Sequence, residues 1–214
     1  SQVRYAGFAR ERPALQAYLG TLSALPRTAF DALGKADQQA FLINAYNAFT
    51  VELILTKYPD LKSIKDLGSL LSSPWKPRWI PLLGEKVSLH DIEHWMLRAR
   101  GRYDEPRVHF AVNCASIGCP MLREEAFVAA RLEAQLEEQA RRFLSDRTRN
   151  RFSPQSGRLE VSEIFKWFKE DWTSGYRGLG GGSPVTSREQ YFARYAELLA
   201  DSPEHRRLVA EGRA

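Results

Sequence analysis

The sequence is poor in cysteine. It has two in 214 residues, too few for a disulfide-rich scaffold, an iron–sulfur cluster held by four thiolates or a four-cysteine zinc site. It also has no long apolar run approaching the roughly 20 residues of a membrane-spanning helix, so no integral membrane segment is expected. Charge of one sign is barely in excess: 31 Lys and Arg stand against 26 Asp and Glu, a formal +5. The densest basic stretch (Arg141, Arg142, Arg147, Arg149, Arg151) is interrupted by Phe143, Leu144 and Asp146. It reads as a solvated helix end, and with no nucleic-acid motif beside it no nucleic-acid partner is expected. The glycine-rich stretch 178–184 lacks the lysine of a phosphate-binding loop and reads as a connection. No basic-then-apolar leader stands at the first residues, and a processed export signal would leave the same sequence.

What is present can bury a core. With 43% hydrophobic and 11% aromatic residues, the chain is not disordered, and its length suits a single domain over 1–214. Leu15, Tyr18, Leu19, Leu22 and Leu25 recur at helical spacing over 13–25. A second helix over 35–58 is apolar nearly all round, which places it at the centre of the fold. Residues 79–87 read as a small hairpin around Gly84-Glu85. Ser88 with Asp91 three residues on marks a capped helix over 89–98. The segment 107–113 follows Pro106 and reads as a buried strand. It leads into a loop of small residues, Cys114-Ala115-Ser116-Ile117-Gly118-Cys119-Pro120. Further helices are predicted over 124–144, through Phe165 to Trp172, and over 187–199, with a short strand near 158–161. The sum is an α+β fold, mainly helical, with a small and mostly antiparallel sheet.

Three constellations could carry chemistry. Asn44 and Asn47 are three apart on the most apolar helix, so their amides need partners in the interior or in a cleft. They could tie a loop to the helix or orient a ligand or catalytic side chain. His90, Glu93 and His94 spell H-x-x-E-H, the inverted zinc-peptidase pattern, for which Glu163 or Glu170 could supply a third ligand. Cys114, after the predicted strand, sits where backbone N–H groups could activate a thiol and hold an oxyanion. His94 or His109 could be its base. His109 lies five residues before Cys114, on the opposite face of a regular strand, which favours His94. The alternatives for Cys114 are a buried inert thiol and a disulfide with Cys119.

These residues also carry a resemblance. Asn44-Ala45-Tyr46-Asn47-Ala48, then Ile92-Glu93-His94, then His109 through Cys119-Pro120 resemble the successive motifs of the family catalogued as domain of unknown function 547. Phe165 to Trp172 is similar to its later aromatic motif, and Val3-Arg4-Tyr5-Ala6 to its opening one. The resemblance implies an exported bacterial-type protein, periplasmic or secreted, and a papain-like or transglutaminase-like fold. It implies that Glu93 and His94 matter more than His90, which undercuts a zinc site, so no metal and no cofactor is expected. It also favours Cys114 over Cys119 as the reactive position. The expected activity is a cysteine-dependent hydrolase or acyl transferase acting on a peptide, amide or thioester, or another small-molecule substrate. In it Cys114 is the nucleophile, His94 the base, and Glu93 or Asn44 the orienting group, by the logic of Cys-His-Asn triads. Asn47, His109, Ser116 and Cys119 would line the site. The rival readings are thiol–disulfide redox or thiol-ligand binding through Cys114 and Cys119, and a binding module without chemistry.

Overall fold

The computed structural model describes residues 3–68, 73–115, 118–177, 179 and 182–214. They form two compact units: residues 1–103 with 111–132, and residues 104–110 with 133–214.

The first unit is built on one buried helix. Helices α1 (Tyr5–Arg10), α2 (Arg12–Ala24) and α3 (Arg27–Asp31) precede α4 (Lys35–Leu55). Along α4, Leu42, Ile43, Ala45, Tyr46, Phe49 and Ile54 are all buried, as an all-round apolar helix requires. Helices α1 and α2 lie against α4. A hairpin follows, β1 (Ile80–Leu82) paired antiparallel with β2 (Glu85–Val87), with Ile80 opposite Val87. Its two turn residues, Leu83 and Gly84, both have positive φ (53° and 82°), which lets the turn follow the twist of the strands. Ser88 then caps α5 (Leu89–Asp91) in a reciprocal capping box with Asp91. Burial works against the Asp91 charge, but the Ser88 hydrogen bonds and Arg78 outweigh it and hold the carboxyl below its ordinary pKa.

The helix expected over 89–98 does not run on as a regular α-helix. After Asp91 it widens into a π-helix, Ile92–Leu97. Such wide turns are rare and often mark functional positions.

The second unit begins at residue 104. The strand expected over 107–113 is instead a one-turn helix, α6 (Val108–Ala111). The reason is local. Pro106 is pre-set for a first helical turn and the Glu105 carboxylate accepts the Arg107 N–H. Successive turn bonds from Val108, His109 and Phe110 then run back to 105–107. Two β-branched residues, Val108 and Val112, do not outweigh this.

Helix α7 (Leu132–Leu144) follows a 3-10 turn at Ala129–Arg131, so it starts later than expected. The basic residue Arg151 opens a strand, β3 (Arg151–Ser153), antiparallel to β4 (Arg158–Glu160). The predicted aromatic helix is two short ones, α8 (Ile164–Trp167) and α9 (Lys169–Thr173). The last predicted helix is also divided, into α10 (Arg188–Ala193), capped by Ser187, and α11 (Ala196–Leu199). Helix α12 (Pro203–Ala210) was not expected. The core of this unit is aromatic, with Phe110, Phe143, Phe165, Trp172, Tyr191 and Phe192 buried together. The fold class is α+β, mainly helical, with two small antiparallel sheets among the described residues rather than one. No described helix is long and apolar enough to cross a membrane.

Candidate functional site

Asn44 and Asn47 bind backbone on either side of the cysteine loop. The Asn44 amide donates to the Phe127 carbonyl at 2.8 Å and accepts the Phe127 N–H at 2.9 Å. Asn47 donates to the Ala111 carbonyl and accepts the Asn113 N–H, both at 2.9 Å. Each amide is thereby matched to one donor and one acceptor, which is what a buried amide demands. Phe127 is 83 positions from Asn44, so nothing local announces it.

The grip passes on through Asn113, a residue the motif reading did not single out. Its side chain accepts the Ala115 N–H at 2.8 Å and donates to the Pro120 carbonyl at 2.6 Å. Asn113 thus closes both ends of the loop that carries the cysteines. Within it Ala115 has φ 55°, a left-handed conformation that costs a non-glycine residue about 1–2 kcal/mol. Two loop N–H groups, those of Asn113 and Ala115, serve this scaffold, so they do not form the oxyanion donors expected beside Cys114.

Cys114 and Cys119 are joined in a disulfide, with Cα atoms 5.9 Å apart, inside the range such a bond requires. Both are partly exposed. Cys114 follows the C-terminal end of α6 and not a strand. Ser116 lies outside the described residues.

Glu93 and His94 sit on the π-helix of the same unit. The Tyr46 hydroxyl accepts the Trp75 indole N–H at 2.8 Å and donates to Glu93 at 3.2 Å. Burial, then the Glu93 charge, push the Tyr46 phenol well above its ordinary pKa, so it stays a donor. Glu93 is therefore held by Tyr46. His94 Nδ1 lies 2.6 Å from the Arg98 guanidinium. Arginine can only donate, so Nδ1 is the acceptor and the neutral ring carries its proton on Nε2. In this state Nε2 offers a proton rather than taking one. The rings of His90 and His94 are 4.2 Å apart, centroid to centroid. Trp95 beside them is 70% exposed. Among the described residues no three metal-ligating side chains gather.

His109 belongs to the second unit. Its ring is buried, lies against Phe168 at 3.9 Å between centroids, and places Nε2 2.8 Å from the Asp171 carboxylate. That partner, 62 positions away, was not legible in the sequence.

A family model described as protein of unknown function, DUF547, matches residues 30–144, more than half of the chain, and the chain belongs to that family. The matched region contains Asn44, Asn47, Glu93, His94, Cys114 and Cys119. No curated protein and no solved structure matches the chain.

Proposed function

We propose that the protein performs thiol–disulfide chemistry at Cys114, with Cys119 as the resolving thiol. The observation that carries this reading is the partly exposed Cys114–Cys119 bond in a loop braced by Asn47 and Asn113. In the dithiol state the Cys114 thiolate attacks one sulfur of a substrate disulfide. A mixed disulfide forms and the other substrate sulfur leaves as a thiolate. The Cys119 thiolate then attacks the Cys114 sulfur and expels the second substrate thiolate. Two electrons pass from the protein dithiol to the substrate, and the two protons of the dithiol end on the released thiols. The reverse sequence oxidises a substrate dithiol. Such a bond persists in an oxidising compartment, which agrees with a periplasmic or secreted location.

Intact-mass measurement tests the first element: the protein without reductant should be two hydrogens lighter than after reduction. Cys119→Ser should trap a mixed disulfide on Cys114 with a peptide disulfide, and Cys114→Ser should not. A protein that stays a dithiol in air, or traps nothing, would sink the proposal.

The hydrolase or acyl-transferase reading draws on the placement of Glu93 and His94 on a π-helix in the unit that holds Cys114. In it reduced Cys114 attacks a peptide, amide or thioester carbonyl. As His94 stands, its Nε2–H would aid the oxyanion, and a base role requires release from Arg98. If His94→Ala leaves labelling of reduced Cys114 by a thiol probe near pH 7 at the wild-type rate, this second reading fails.

A further inference from the structure

The loop that carries the cysteines is closed twice. Sulfur closes it once, through Cys114 and Cys119, five positions apart in sequence with Cα atoms 5.9 Å apart. The Asn113 side chain closes it again, donating to the Pro120 carbonyl at 2.6 Å and accepting the Ala115 N–H at 2.8 Å. Each cysteine therefore adjoins a residue whose backbone Asn113 holds. The frame is itself anchored: Val112 and Pro120 are buried, while Cys114 and Cys119 between them are partly exposed. The Asn113 N–H donates to Asn47 of the buried helix α4 at 2.9 Å.

None of these hydrogen bonds uses a sulfur atom, so reducing the disulfide removes none of them. In an unbraced chain, bringing two thiols together across a loop costs closure entropy. Here the Asn113 bond to Pro120 already closes the loop in the dithiol state. Thiols held close in this way react at a high effective concentration. The coupling is reciprocal: the disulfide favours the Asn113 bonds as much as those bonds favour the disulfide. Ala115 belongs to the same brace. Its left-handed backbone, φ 55°, is one that a free loop would seldom hold, and the Asn113 carbonyl fixes it beside Cys114.

We infer that Asn113 is a positioning residue for thiol exchange, holding Cys119 within reach of Cys114 in the dithiol and mixed-disulfide states. It acts at the resolving step. The Cys119 thiolate attacks the Cys114 sulfur, the new S–S bond forms, and the substrate sulfur leaves as a thiolate with the bonding pair. By favouring the closed loop, Asn113 makes the protein dithiol a stronger electron donor than an unbraced pair, with the substrate disulfide as acceptor. The role rests on the thiol–disulfide reading for its substrate, whereas the bracing itself does not.

Mixtures of reduced and oxidised dithiothreitol, equilibrated with the full chain and followed by alkylation and intact mass, measure the bracing. Asn113→Ala removes both side-chain bonds and leaves the backbone N–H for Asn47. It should be half-reduced at a reduced-to-oxidised ratio about tenfold lower than wild type, a potential about 30 mV higher. Its mixed disulfide with a peptide should also persist longer before Cys119 resolves it. Asn113→Ser keeps a weaker acceptor for Ala115 but loses the donor to Pro120, so it should shift the same way by less. If Asn113→Ala loses the helical circular dichroism, the serine variant carries the test.

Asn150 supplies the control for a merely structural role. It is a buried amide of the second unit, donating to the Phe143 carbonyl at 2.8 Å and accepting the Ser162 N–H at 3.1 Å. Asn150→Ala loses as many bonds and should lower stability comparably, with the potential unchanged. Half-reduction of wild type and both Asn113 variants at one ratio would overturn the role of Asn113. An equal shift in Asn150→Ala would overturn it as well. Peptide disulfides exchanged with no such shift would leave the thiol reading standing without the brace. The shift without exchange on any peptide disulfide would keep the brace and remove the thiol reading.

Discussion

Asn47 commits both halves of its amide to backbone groups on either side of the bend after α6, the Ala111 carbonyl and the Asn113 N–H. Removing it strands both of those groups. Asn47→Ala should lower the unfolding free energy by about 2–4 kcal/mol, since each stranded buried group costs roughly 1–3. Asn47→Asp keeps the acceptor for Asn113 but sets a carboxylate against the Ala111 carbonyl. It should be destabilised at neutral pH and partly restored when the carboxyl is protonated. Urea titrations of both variants at pH 7 and at about pH 4 check this; equal losses at the two pH values would contradict it. The spacing of Asn44 and Asn47 was enough to say that buried amides need partners. It could not say that those partners would be backbone rather than an imidazole, because hydrogen bonds from such distant segments leave no trace in a local window. Asn113, which supplies the loop with two more bonds, carried no periodic signal at all.

Arg107 binds the segment before α6 to α7. Its guanidinium reaches Glu105 at 2.7 Å, Glu133 at 2.8 Å through two nitrogens, and Glu137 at 3.4 Å. Burial opposes the charge, but the bonds to Glu105 and Glu133 outweigh it and hold the Arg107 pKa above its ordinary value. Glu105 is as deeply buried as Arg107. Arg107→Met should therefore cost about 3–5 kcal/mol by leaving the Glu105 carboxylate unpaired, and Glu105→Leu in the same chain should recover much of it. Arg107→Lys keeps the charge but not the planar fork and should fall between. A double-mutant cycle in urea reads this coupling; additive losses would show that the pair is not coupled. The same network explains the mistaken strand. Residues 105–107 are held by side-chain charges and Pro106, and the β-branched and aromatic composition on which the strand was expected registers neither. By contrast, α4 and the capping box at Ser88 were read in place, α4 ending three residues early, and the hairpin of β1 and β2 was found with its turn one residue before the expected Gly84-Glu85. Each is specified by groups within a few residues of one another.

Several buried phenols make the folded chain sensitive to alkali. Burial pushes Tyr46 and Tyr191 well above the ordinary value of 10 and raises Tyr195, which also donates to Glu137. Tyr176 is pushed up to about 12. In the unfolded chain these phenols ionise near pH 10, while the folded chain keeps them protonated. Their folded-state pKa is raised, so the stability tied to them is complete below about pH 10 and is lost as pH rises through the folded values. Each group that is protonated only in the folded chain steepens the fall by about 1.4 kcal/mol per pH unit. Urea midpoints should be level from about pH 7 to 9 and drop beyond pH 10, with tyrosinate absorbance rising in step with unfolding. Tyr191→Phe should reduce the slope; a flat profile to pH 12 would refute the assignment.

Composition and local pattern were sufficient to expect no spanning helix, to place the central helix, and to single out the Asn, Glu-His and Cys motifs, all of which lie in the region that the family model matches. Those features depend on residue type and on spacings of two to four positions, which secondary structure reads directly. The division of partners was settled in three dimensions. Asn44 found Phe127, His109 found Asp171 and left the motif of Cys114 for another unit, and Arg98 selected the tautomer of His94. The two cysteines, scarce enough at first to serve mainly as an exclusion, were brought together by a loop whose ends Asn113 ties. Partners in space depend on how distant segments pack, and that is a property of the whole fold rather than of any short stretch of sequence.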